Sequence, residues 1–541
     1  MADPILARQT QAMEFMLVGL CLLALALYLR LRVFIGTRPG GVDTWYYLAS
    51  AEAIRTQKRL PIRLPQYLLH DRTESYPAVF PLFLAVLPPD WLRSYFWLIS
   101  PIIDALQLLL LYLLSFRLTD SVLAAGTAGL IYAVTPQLIS ETRNLNGRAF
   151  ASLLQTITML VLLRSVIPSD GPSASLIGGS ENRLWFIGVL LVGVLYNTHT
   201  STMIAFGVSA ATLSFVLHEP RFIIAVVVGL PVAVVISGGY YLRVVMNHLH
   251  AARFWLRNVA YTRAHQIEDS PLFSTRNGGS GPSSGLYRSR LSLAVRVLGE
   301  NPFILALLVT PPPPNVWAAH MYWWAIAILA WSLLTTFGGP LRILGPGFHY
   351  MKASVFPTAY ALAVTVNITE GALSLVGLTL LFSMILSFAA LAYFYRVMAR
   401  RATEHTAQTP PDLAEAAGYM RRLPGGRVLV LPSMYADFVA YNASKSVVWG
   451  GHSGNLSRFE EFYPVLRRPL SYFVERYDVD YLLLDHAYVT PERLGVADAV
   501  STLDRFGSIA VYEFVRPEAA VGPTAPDFVA RHSPSTGSEM A

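Results

Sequence analysis

The hydrophobic and polar positions of this chain form long apolar blocks separated by short polar joints. Blocks long enough to span a bilayer lie at 13–35, 93–116, 121–140, 149–167, 183–198, 200–217 and 221–242. Others follow at 302–318, 319–337, 352–368 and 371–397. A helix needs about 20 apolar residues to cross the hydrocarbon, so the pattern predicts about eleven transmembrane helices. Pro311–Pro314 interrupts the 302–337 stretch, where four prolines either join two spans or end a re-entrant one. Trp317, Tyr322, Trp323 and Trp324 beyond them suit an interfacial aromatic belt. Two longer loops, 38–92 and 243–301, are rich in arginine. The second carries Asn277-Gly-Gly-Ser-Gly-Pro-Ser-Ser-Gly285, a tract unable to build a core. Residues 269–286 are therefore expected to move freely without ligand and to order when ligand binds.

The pattern changes near Thr403. Helices at 411–424, 433–443, 457–477 and 491–505 alternate with strands at 427–432, 446–449, 479–485 and 508–515. That alternation predicts a small α/β domain over 403–515 with a largely parallel sheet. Residues 516–541 are rich in Pro, Ser and Ala and are expected to be disordered. The fold class is a polytopic α-helical membrane protein, transmembrane over 1–402, with a small C-terminal α/β domain. The sequence has no internal repeat.

Composition agrees with the pattern. Of 541 residues 54% are hydrophobic and 14% charged, with mean hydropathy +0.45, against about 25% charged in soluble domains. The net charge is +7, and the basic residues mostly flank apolar runs. Membrane lipids are the expected partners and nucleic acid is not. Cys21 is the only cysteine, which excludes a disulfide within the chain and a cysteine-ligated metal. Arg117, Arg164, Arg183 and Arg221 favour an inside N-terminus, whereas Arg396, Arg400 and Arg401 ask for the last helix to end inside. With the N-terminus inside and an odd number of spans, residues 403–515 and both long loops lie outside the cell membrane.

On that topology one set of polar joints shares the outer side. Asp43 follows the first block and opens a helix, with Tyr46 and Tyr47 on its face. Asp also suits a helix N-cap, so a purely structural role competes. Glu141 and Arg148 lie between the third and fourth blocks, His199 between the fifth and sixth, and His349 and Lys352 before the tenth. Singly, each suits a solvated loop or a snorkelling side chain. Together they bring acids and cations to one surface.

Gly40-Gly-Val-Asp43-Thr-Trp-Tyr-Tyr47 after a first span, with Ser75-Tyr-Pro-Ala-Val-Phe-Pro-Leu82 entering the next, resembles the GT-C superfamily of membrane glycosyltransferases. Asn146-Gly-Arg-Ala-Phe150, Asn197-Thr-His-Thr200 and His349-Tyr-Met-Lys-Ala-Ser354 are similar to that superfamily's other outer-loop motifs, and Glu475–Leu484 to its soluble domain. The resemblance extends distantly to oligosaccharyltransferase catalytic subunits. It implies transfer of a sugar from a polyprenyl-phosphate or -pyrophosphate donor to a glycan, protein or lipid acceptor. Asp43 is then the catalytic base. Tyr46, Tyr47, Arg148, His199, His349 and Lys352 hold substrate, and Glu141 holds a divalent cation (Mg or Mn) or an acceptor hydroxyl. Two departures count against transfer to asparagine and against an obligatory metal: the C-terminal part lacks a Trp-Trp-Asp block, and Glu141 has no neighbouring acid. The competing functions are a transporter or lipid flippase, for which Asp104 inside the second span is the main feature, and a non-catalytic GT-C-like assembly subunit.

Overall fold

The computed structural model describes residues 4–35, 40–68, 75–167, 180–258, 290–368, 375–403, 410–450, 460–462 and 467–515. The Gly/Ser tract with its expected mobility, and the 516–541 tail, lie outside the described residues. In chain order the helices are α1 Pro4–Leu31, α2 Val42–Gln57, α3 Val79–Val86, α4 Pro89–Thr119, α5 Val122–Val134, α6 Pro136–Glu141 and α7 Gly147–Val166. They continue with α8 Ser180–Tyr196, α9 Thr200–Val216, α10 Arg221–Ile236, α11 Tyr240–Arg257, α12 Arg290–Glu300, α13 Ile304–Leu308 and α14 Val316–Phe337. Then come α15 Lys352–Ile368, α16 Leu375–Thr403, α17 Pro411–Arg422, α18 Ala436–Asn442, α19 Leu470–Tyr477 and α20 Pro491–Leu494. Among the described residues α1, α4, α7, α14 and α16 contain stretches long and apolar enough to cross a membrane, and α10 with α11 would make a sixth if that pair, bent by 120°, is one span. α5 and α9 are shorter apolar helices.

Several boundaries differ from the sequence expectation. The 121–140 block breaks at Thr135, which is extended because it precedes Pro136. The 75–82 motif enters α3, a separate short helix, and the next long helix starts only at Pro89. Both long loops contain helices. The start of 243–301 is amphipathic α11, reached through Gly238 and Gly239 at φ 58° and 86°.

The expected helix at 302–318 is replaced by α13 and the proline run, and Val316–Phe337 forms one helix. Phe303, Ile304, Ala306 and Leu307 are nevertheless fully buried. Asn301 Nδ2 donates to Ser354 Oγ at 2.9 Å, so this segment starts beside the first turns of α15. Trp331 meets Tyr350 and Trp324 meets Phe356, so α14 and α15 run antiparallel. The start of α14 therefore lies at the opposite end, and 301–315 runs from one end of the bundle to the other as the short α13, buried at Phe303–Leu307 save the half-buried Leu305, followed by a largely exposed proline-rich stretch.

The membrane part is locked by one charged pair. Arg30 Nε on α1 lies 2.5 Å from Asp104 Oδ2 on α4, and both side chains are wholly buried. Tyr132 on α5 donates to the other carboxylate oxygen at 3.0 Å, and Arg30 Nη1 donates to Ala26 O and Ala133 O. Charge and hydrogen bonding thus tie Asp104 on α4 to two other helices, α1 and α5.

Residues 427–514 contribute a five-stranded sheet of β1 Arg427–Leu431, β2 Ser446–Val447, β3 Tyr481–Asp485, β4 Val500–Phe506 and β5 Ile509–Phe514, in the order β2-β1-β3-β5-β4. β2, β1 and β3 are parallel, whereas β3-β5 and β5-β4 are antiparallel. The sheet is mixed because the second part of the expected helix at 491–505, from Val500, is strand. Gly507, at φ 54°, turns that strand straight back into β5, a hairpin in place of a crossover. β2 is extended by the first loop, where Tyr67 pairs with Val447. Trp45 on α2 packs edge-on against Phe438 on α18 at 5.0 Å, in one cluster with the sheet.

Removing one partner of a buried pair leaves the other charge uncompensated, at a cost of about 3–5 kcal/mol. Asp104→Ala should therefore lower the unfolding temperature in detergent by several degrees, and Arg30→Met combined with Asp104→Leu should recover most of the loss. An unchanged melting curve for Asp104→Ala would show that the pair is not a lock.

Candidate functional site

The site grows from the start of α2. Gly41 has φ 127°, and a Cβ there would fall 2.6 Å from the Asn144 side chain, so glycine is required. The Asn144 amide, turned to donate, reaches Gly40 O at 2.6 Å and Arg143 O at 3.0 Å. Thr44 Oγ1 accepts from Leu145 N at 3.2 Å. These bonds stitch α2 to the 141–148 joint. Gly41, not Asp43, holds the N-cap position, so the cap reading of Asp43 is corrected: the carboxylate lies in the helix's first turn. There the helix dipole favours negative charge. Asp43 couples electrostatically to Tyr47, Arg148 and His199.

Glu141 ends α6 and Arg148 opens α7, where Asn146 caps the helix by accepting from Arg148 N at 2.9 Å. Arg148 Nη1 donates to both Glu141 oxygens, at 3.1 and 3.0 Å, and His349 Nδ1 lies 3.3 Å from Oε1. His349 is delivered by the joint between α14 and α15. Gly347 there packs so tightly that a Cβ would come within 1.9 Å of Ser332 O, and Gln137 Nε2 holds Phe348 O at 2.7 Å. Three residues on, Lys352 is 7% exposed, and its Nζ has no hydrogen-bond partner among the described residues. Arg148, His349 and Lys352 line a partly open cleft of about 300 Å³ with Ser152, Gln155 and Thr202. His199 adjoins it, its Nδ1 3.1 Å from Ser201 Oγ and 3.3 Å from Thr202 Oγ1. Tyr47 borders the same region: its hydroxyl is 3.4 Å from that of Tyr76, and a Cβ on Gly147 would meet it at 3.2 Å. Tyr46, buried, turns instead into a second, apolar pocket.

Charges in the cluster are unevenly matched. Burial alone would raise the Glu141 carboxyl, but Arg148, His349 and Lys352 outweigh it and hold the group well below the usual carboxylate range. Burial and then Arg148 push the His199 imidazole down to about 3, and burial lowers His349. Both rings are therefore neutral at neutral pH. The expected set of four cations therefore loses both histidines, and Arg148 is already paired with Glu141.

Two site neighbours escaped sequence reasoning because α12 was hidden in a nominal loop. Arg296 lies 3.8 Å above the Phe348 ring and 3.6 Å from Glu300. Burial lifts the Glu300 carboxyl to about 7 despite Arg296. The i, i+4 apolar pair Leu293 and Val297, which α12 buries, was the available signal beside these charges.

The cation implied at Glu141 does not fit these residues. Both of its oxygens are engaged by a guanidinium and one also by an imidazole, and among the described residues no group of three or more His, Cys, Asp or Glu is arranged to hold a metal.

No protein-family model and no curated protein matches the sequence. Solved structures do match the fold. The oligosaccharyltransferase of Archaeoglobus fulgidus in its apo form aligns with TM-score 0.55 at 14% identity, over 89% of this chain and 71% of that one. ArnT from Cupriavidus metallidurans in its apo state aligns with TM-score 0.55 at 12% identity, over 94% and 98%. Other matching structures hold an inhibitory peptide with a dolichol-phosphate, or Zn and sulfate, in the A. fulgidus protein, and undecaprenyl phosphate in ArnT.

The pH dependence follows from His199. Its pKa is lowered on folding, so below about 6.5 the unfolded chain takes up a proton that the folded chain refuses, and this contribution weakens the fold down to about pH 3. His199→Asn should flatten the loss of unfolding temperature between pH 6.5 and 4.5. An unchanged slope in the variant would refute the assignment. By fold, this chain is similar to the A. fulgidus oligosaccharyltransferase and to ArnT.

Proposed function

We propose that this protein is an inverting glycosyltransferase that moves a sugar from a polyprenyl-phosphate or -pyrophosphate donor to an acceptor outside the cell membrane. The observation that carries the reading is Lys352: a buried Nζ without a hydrogen-bond partner among the described residues, lining a cleft beside Arg148, which itself couples to Asp43. A donor phosphate satisfies it. The acceptor's O–H or N–H attacks the anomeric carbon as the bond from that carbon to the phosphate oxygen breaks. Asp43 accepts the acceptor's proton, and the departing phosphate keeps the bond's electron pair. Lys352 and Arg148 stabilise the charge gathering on it. Neutral His199 and His349 serve by hydrogen bonding, and Glu141 orients Arg148 and His349. The prenyl chain lies between the spans.

In this reading the chain makes eleven passages, one of them the 301–315 segment with its short helix α13, and 403–515 is extracytoplasmic. Two contacts support it. Arg143 on the site joint lies 3.8 Å from Met398 Sδ near the end of α16, and the sheet shares a core with α2.

Asp43→Asn keeps the fold, since loss of a carboxylate near a helix N-terminus costs about 0.3–1 kcal/mol. Loss of a general base costs roughly 10²–10⁴ in rate. The variant should bind undecaprenyl phosphate as the parent does, yet transfer sugar from lipid-linked sugars of the source membranes at least a hundredfold more slowly. Turnover near the parent's would end the case for Asp43.

Sidedness has its own test. In a Cys21→Ser background, a Ser433→Cys thiol should react with a membrane-impermeant reagent on intact cells. Reaction only after lysis would put the sheet inside.

A further inference from the structure

The side chains of α11 are sorted into two halves. One half is spent on the rest of the chain. Tyr241, Val244 and Phe254 are buried, Tyr240 Oη donates to Tyr76 O at 2.6 Å, and Asn247 Nδ2 donates to Ser75 O at 3.4 Å. His248 Nε2 lies 2.8 Å from Thr200 Oγ1, beside His199. The other half is uncovered. Leu242, Met246, Leu249 and Leu256 fall in one stripe at helical spacing, each about half exposed. Arg243, His250 and Arg253 are exposed on and beside that stripe. From Tyr240 to Arg257 the helix has no acidic residue, and Arg257 at its end is paired with Glu460 at 2.8 Å.

A surface of this kind has a particular complement. Left in water, the stripe would keep four large apolar side chains wet. At the edge of a bilayer the stripe meets acyl chains and the guanidinium groups meet phosphates, so both are satisfied. The position on the chain agrees. Val235 and Ile236, at the end of apolar α10, are themselves exposed. The chain then turns by 120° through Gly238 and Gly239 into α11. With α10 crossing the membrane, that turn lays α11 nearer to the membrane plane than to its normal, and its stripe continues the apolar surface of α10. A soluble acidic partner would match the arginines and leave that continuity without a reason.

We infer that α11 is an interfacial helix that binds anionic phospholipid headgroups, with its apolar stripe at the acyl boundary and Arg243 and Arg253 on the phosphates. It is therefore a separate surface element and not the second half of a broken span. The inference goes beyond the transfer reaction and does not depend on it.

The test uses full-length Cys21→Ser protein in lipid nanodiscs, with Leu249→Cys carrying an NBD fluorophore. Quenching is compared for phosphatidylglycerol and phosphatidylcholine, each with a doxyl group on an acyl chain and at equal mole fraction. Phosphatidylglycerol should quench about twofold more strongly at about 50 mM salt, and the preference should fade at about 500 mM. A fluorophore at Ile385→Cys, exposed on α16 in a stretch without basic residues, should show no preference. Arg243→Gln with Arg253→Gln should remove the preference and leave quenching by phosphatidylcholine unchanged, whereas Lys at both positions should retain it. Both arginines are exposed, so these changes leave the packed half of the helix intact. Equal quenching by the two lipids at Leu249→Cys would overturn the inference, since the contact would then be apolar only. Absence of quenching by either would place α11 away from lipid and also overturn it, as would a preference that survives the double glutamine change.

Discussion

One carboxylate, Glu141, sets the geometry on which the site depends. It sits at the break between α6 and α7 and engages Arg148, seven residues on, and His349, more than two hundred residues on. Such a buried anion is tolerated only because cations surround it. The cost of separating them fixes the relative positions of the two joints. The same pairing withdraws Arg148 in part from any other anion, whereas Lys352 Nζ has no hydrogen-bond partner among the described residues. Two basic residues that look alike in sequence thus stand in different surroundings.

Most of the bundle was legible from periodicity, because lipid demands unbroken apolar helices and these leave a strong signal. The joints carrying Asp43, Glu141, His199 and His349 were legible as polar residues between spans. Their convergence was not, since it follows from helix packing between segments far apart in the chain. The 301–315 segment misled because apolar composition reports burial and does not specify helix; Pro311–Pro314 prevented one. The hairpin of β4 and β5 was missed because Val500–Phe506 carries charges that suit a helix surface equally well. Its partner strand, and not its own pattern, decides its state.

Burial also changes what the site's histidines can do. In sequence, His199 and His349 look like cations opposite a phosphate. In the folded chain both are surrounded by packed side chains and lie close to Arg148, so a second and third positive charge are disfavoured. They become neutral donors and acceptors, suited to orienting a ligand rather than attracting it.

The shared core between α2 and the C-terminal sheet has a consequence for how the protein is made. Trp45 leaves the ribosome early, whereas Phe438, which covers it, follows nearly four hundred residues later. Until then the helix that carries Asp43 has Phe96 of α4 against Trp45 but lacks the cover that α18 supplies. The helices of the bundle alone do not supply that cover; Phe438 does. A chain stopped after α16 would hold its spans and leave the helix beside its site without its cover.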